Sequence, residues 1–137
     1  MPLLLLRLLA LLLGLGLIVG ETVRSWGKGR HPLFVLDDYF IGVPLLITAM
    51  YMARPTSRRR AAFVASFAAA AGMLYGSFFS KLIDPARNTF STIPAGWLTG
   101  LVGLAFIMSL IGLFGALVAI GRFEECSEVR PEEVEDL

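Results

Sequence analysis

The segment "WLTGLVGLAFIMSLIGLFGALVAIG", residues 97–121, contains no charged side chain. A soluble helix of that length carries a polar stripe opposite its apolar face, and this segment has none. It is also long enough to cross the ~30 Å hydrocarbon core of a bilayer, which takes about 20 apolar residues at 1.5 Å each. Three further runs have the same character. They cover about 3–26, interrupted by Arg7, then 33–53, then 61–83 after the basic "RPTSRRR". The third ends at Asp84-Pro85, because the residue before a proline resists helical geometry.

With the fourth run taken as 95–121, the expected fold is all-α. Residues 1–123 form an integral membrane domain, an antiparallel bundle of four transmembrane helices whose short connections make successive helices neighbours. Residues 124–137 read as an acidic, disordered cytoplasmic tail.

Composition agrees with a membrane protein. The chain has 137 residues, 56% of them hydrophobic, against about 45–50% in ordinary soluble domains. Its net charge of +1 hides an asymmetry: residues 1–123 hold eleven Lys/Arg and four Asp/Glu, while the rest holds seven acids and Arg130. Arginine outnumbers lysine ten to two and Ala, Gly and Leu are abundant, the bias expected of a GC-rich bacterial genome, so the expected location is a bacterial inner membrane.

Several chemistries are disfavoured. Cys126 is the single cysteine and His31 the single histidine, which excludes an internal disulfide and a bis-histidine metal site. No nucleophile stands beside a base, and there is no HExxH and no glycine-rich phosphate loop. No catalytic residue, metal, cofactor or nucleic-acid partner is therefore expected.

The first run also admits a cleaved signal peptide, with small residues Gly14 and Gly16 near a cleavage point. The basic leader such a peptide needs is missing, since Arg7 lies within the run, so retention as a span is the expectation. Orientation follows the arginines: Arg54, Arg58, Arg59 and Arg60 crowd one short loop, which places that loop and both termini in the cytoplasm. Trp26, Trp97, Tyr39, Phe78, Phe79 and Phe90 then fall at the outer interface, where aromatic rings anchor.

Gly16/Gly20, Gly72/Gly76 and Gly96/Gly100 are GxxxG pairs, a spacing that lets helix backbones approach within one chain, between copies or against a membrane-protein partner. The remaining polar residues gather at one end. Glu21 and Arg24 close the first run, Asp37 and Asp38 open the second, and Lys81 and Asp84 close the third, so alternating helices bring all six to the outer leaflet. Helical periodicity adds inward stripes: Arg7, Gly14 and Glu21 in the first helix; Asp37, Ile41, Pro44, Thr48 and Tyr51 in the second; Ser66, Met73, Ser77, Ser80 and Asp84 in the third.

An ionisable group within a span marks a functional candidate, because it costs a few kcal/mol or more unless paired or hydrated. Helix capping and salt bridging are the competing account. Two functions follow. One is a non-enzymatic accessory or assembly subunit with a structural charge cluster. The other is a small transporter or lipid- or cation-binding protein that uses Glu21 and Asp37/Asp38. Small multidrug exporters share the four short helices and one carboxylate in the first. The likeness stops there, since this acid lies near the far end of its helix and is accompanied by an aspartate pair and cations.

Overall fold

The computed structural model describes residues 3–25, 32–84 and 95–128. They form four helices: α1 (Leu3–Ser25), α2 (Pro32–Tyr51), α3 (Ser57–Ile83) and α4 (Ala95–Glu128). No strand occurs among the described residues. Three helices carry stretches long and apolar enough to cross a membrane, Leu3–Val23, Ser57–Ile83 and Gly96–Ala119, and α2 has a shorter apolar stretch, Asp38–Tyr51. α4 continues to Glu128, past the expected end at residue 121 and into the acidic segment. Residues 129–137 of the expected tail lie outside the described residues.

The helix ends follow local rules. Pro55 cannot donate a backbone hydrogen bond and pushes Arg54 out of helical geometry, so α2 closes with tight bonds from Ala53 N–H to the Met50 carbonyl and Arg54 N–H to the Tyr51 carbonyl. Thr56 then caps α3 from extended geometry, its Oγ1 accepting from the Arg59 N–H. α2 runs unbroken through Pro44, whose ring sits on the exposed side.

Adjacent helices pack as a ring, α1 on α2, α2 on α3, α3 on α4 and α4 back on α1. Contacts between the start of one helix and the end of the next make the neighbours antiparallel: Arg7 meets Ala49, and Thr22 meets Tyr39. The core is built from Leu6, Ala10 and Leu13 of α1, Ile41, Leu45, Ala49 and Met52 of α2, Phe63, Phe67 and Ala70 of α3, and Ala116 of α4. These recur three or four residues apart, as one face of a helix requires. Most of them lie in the half of the bundle nearer the α2–α3 turn.

Two of the three inward stripes are corrected. α1 is as expected, with Gly14 and Glu21 buried and Arg7 half-buried. In α2 the buried face is rotated to Ile41, Leu45, Ala49 and Met52, leaving Pro44 and Tyr51 exposed. In α3 the buried face is Phe63, Ser66, Phe67, Ala70, Ala71 and Leu74, while Met73, Ser80 and Asp84 are exposed. Side-chain shape decides this. A helical Ser or Thr can satisfy itself on its own backbone, as Thr48 does on the Pro44 carbonyl at 2.7 Å and Ser66 on the Ala62 carbonyl at 2.9 Å, so polarity alone does not turn a face inward.

The glycines that matter for packing are Gly14, Gly42, Gly103 and Gly112. A Cβ on Gly42 would lie 2.7 Å from Ile18 Cγ1 and 2.9 Å from the Gly14 carbonyl oxygen, so α1 and α2 touch backbone to backbone there. Phe78 and Phe67 of α3 fill the hollows over Gly103 and Gly112 of α4. Phe78 is thus a packing residue, stacked at 18° on Phe106, while Trp97 points outward with 72% of its surface exposed. Trp26 and Phe90 lie outside the described residues.

Candidate functional site

Toward the end of the bundle away from the α2–α3 turn, α1 and α4 part and leave a crevice of about 370 Å³. Its α1 wall runs from Leu9 to Glu21, about 18 Å at 1.5 Å per residue, and its α4 wall from Leu98 to Met108. Leu13, Leu74 and Leu98 are buried in its floor, whereas Leu12, Leu101 and Leu104 are exposed along its rim. The crevice therefore opens sideways, onto the surface that faces lipid in a membrane.

Gly16 and Gly20 carve the α1 wall. No atom lies within 4 Å of a Cβ built on either, so the missing side chains become free volume. This gives the first GxxxG pair a role other than helix contact. Gly72, Gly76, Gly96 and Gly100 are exposed and equally clear of neighbours, so the other two pairs make no contact within the chain.

Glu21 and Asp38 line the crevice, and no lysine or arginine does so among the described residues. Glu21 is 3% exposed, and the Ser25 hydroxyl donates to its Oε1 at 2.5 Å. Beside it the Thr22 and Tyr39 hydroxyls share a hydrogen bond of 2.7 Å that ties α1 to α2. Glu21 sits in the closing turns of α1, where the negative end of the macrodipole disfavours an anion. Asp38 is different. It lies on the second turn of α2, nearer the positive end of that helix.

The other expected site residues divide. Lys81 and Asp84 stand on α3 at the same end of the bundle, outside the crevice lining. The Lys81 ammonium donates to Ser77 Oγ at 2.9 Å, and the Asp84 backbone N–H closes α3 on the Ser80 carbonyl at 3.1 Å. The side chains of Arg24 and Asp37 lie outside the described residues. Among the described residues no group of three His, Cys, Asp or Glu gathers as a metal site.

The sequence carried the carboxylate but not the space beside it. Leu13, Leu74 and Leu98 look like any other leucine of an apolar run, and only Gly16 and Gly20, on the two turns before Glu21, mark the opening. Compared with known proteins, the chain matches no family model, no curated relative and no solved structure.

Proposed function

We propose that this is a non-enzymatic, multi-pass membrane protein that binds an amphiphile in the α1–α4 crevice, with Glu21 and Asp38 as the polar end of the site. The observation that carries this reading is Glu21, a carboxylate buried at the end of an open apolar crevice. Burial in a span costs an ionised group a few kcal/mol, and the helix dipole at this position opposes it further. A ligand head group gives an acid at this position a role.

α2 crosses the membrane as well in this reading. Its 20 residues reach about 30 Å, and Asp37 and Asp38 lie about 8–9 Å along it from Pro32. Arg54 in the α2–α3 turn and Arg58, Arg59 and Arg60 at the start of α3 put that turn and both termini in the cytoplasm of a bacterial cell. An externally active reporter fused after Thr56 is silent under this orientation, and activity there would reverse it.

A second reading, an accessory or assembly subunit, is favoured by the outward faces of Gly72, Gly76, Gly96 and Gly100, which leave room for a partner helix or a second copy. A thermal-shift screen of the purified chain against lipids and small amphiphiles separates the two. Amphiphile binding predicts a rise of several degrees for the native chain and none for Gly20→Leu, in which a side chain fills the crevice. A structural charge cluster predicts no ligand effect and a lower melting temperature for Glu21→Gln.

A further inference from the structure

A lipid is polar at one end, so a crevice that is polar at one end only fixes which way its occupant lies. Among the described lining residues the polar ones are Glu21 and Asp38, and both stand at the end away from the α2–α3 turn. From Leu17 to Leu9 on α1, and from Leu98 to Met108 on α4, the lining is aliphatic side chains, methionine and glycine. Whatever its charge, a head group therefore lies at the Glu21 end and the tail points toward Leu9 and Met108.

The tail end is blind. Beyond Leu9 the α1–α4 seam closes on Leu6 and Ala116, 0% and 3% exposed, with Phe63 packed against them. The space left there is about 10 Å³, no more than one water needs. The polar side chains of the closed half are engaged: Arg7, Thr48, Ser66 and Ser109 each donate to a backbone carbonyl. The open length of about 18 Å is close to the ~15 Å depth of one leaflet of a 30 Å hydrocarbon core. An extended twelve-carbon chain, about 14 Å long at ~1.5 Å per C–C bond, fits it without reaching the closed half. Over that length 370 Å³ gives a section of about 20 Å², room for one alkyl chain whose neighbours stand ~4 Å away. The exposed rim at Leu12, Leu101 and Leu104 admits the chain sideways.

We propose that the crevice is a single-leaflet site. It takes one alkyl chain from the leaflet at the Glu21 end, holds it between α1 and α4 with the tail toward Leu9, and releases it to the same leaflet, with no passage for the head group to the α2–α3 side. This inference rests on the crevice being a binding site.

The test is photo-crosslinking of the full chain in phosphatidylcholine nanodiscs with two dodecylphosphocholines, one with a diazirine beside the head group and one with it at the tip of the tail. Their head group matches the bulk lipid, so it adds no preference of its own. The saturable label falls on the Gly20 and Leu98 turns with the first probe and on the Leu9 and Met108 turns with the second, and the buried Leu6 and Ala116 stay unlabelled by both. Gly16→Leu, whose Cβ meets nothing within 4 Å, keeps the native melting temperature. It lowers both yields by about tenfold at sub-saturating probe, a loss of ~1.4 kcal/mol. The reverse order of labelling, or tail-tip label at Leu6 and Ala116, would overturn the single-leaflet assignment and leave the crevice as a binding site. So would faster crossing of a head-labelled fluorescent phosphatidylcholine in proteoliposomes than in empty vesicles, read by dithionite bleaching. Absence of any saturable label in the crevice would overturn both.

Discussion

Arg7 and Glu21 both interrupt the apolar run of α1, yet the fold treats them in opposite ways. The Arg7 Nε donates to the Ala49 carbonyl at 3.0 Å, in the last turn of α2, where carbonyls lack helical partners and the dipole favours a cation. Glu21 has the unfavourable sign for its end of α1. Arg7 is therefore a structural tie and Glu21 a candidate for function. Arg7→Leu leaves the Ala49 carbonyl without this donor, at a cost of about 1–3 kcal/mol, and melts the detergent-solubilised chain several degrees lower. Arg7→Lys recovers part of the loss. An unchanged melting curve for Arg7→Leu would show that the bond contributes nothing. Both charges were legible in the sequence as breaks in hydrophobicity. The partner of Arg7 was not, because a backbone carbonyl looks the same at every residue.

At the level of helices, small residues act where two backbones meet, and the GxxxG spacing did not reveal where that is. Gly14 and Gly42 stand alone in their helices' contact faces, and an added Cβ on either lies 2.9 Å from the other's carbonyl oxygen. Gly14→Ala and Gly42→Ala each force α1 from α2 and destabilise the chain by about 1–3 kcal/mol. Gly72→Ala and Gly96→Ala, with nothing within 4 Å of the new methyl, leave the melting temperature unchanged or slightly higher, since alanine favours helix. Equal effects in the two sets, measured by thermal denaturation, would contradict the α1–α2 contact described here. Helix number, type and approximate limits were legible because apolar length is written directly in the residues. Helix rotation was not: in α2 and α3 it follows from how Phe63, Phe67, Leu45 and Met52 fill space, and the polar residues followed no inward stripe.

Taken whole, the bundle is tight at one end and open at the other. Leu6, Met52, Phe63 and Ala116 close the end near the basic turn, and the α1–α4 seam widens toward Glu21. The sequence placed the polar residues at that wider end through alternating helix direction alone, and Glu21, Asp38, Lys81 and Asp84 do share it. It could not show that α1 and α4, the first and last helices, leave a gap, because no local pattern records the fit between residues so far apart in the chain. The gap also depends on α1 staying in the bundle, since α1 supplies one wall of the crevice and three core residues.

The most direct measurement is photo-crosslinking of the full chain in nanodiscs with a single-chain dodecyl amphiphile that carries a diazirine midway along its tail, followed by peptide mapping. Labels concentrated on α1 between Leu9 and Leu17 and on α4 between Leu98 and Met108, and lost in Gly16→Leu, are the predicted result. Labels spread evenly over the outward faces of all four helices, unchanged in Gly16→Leu, would contradict it.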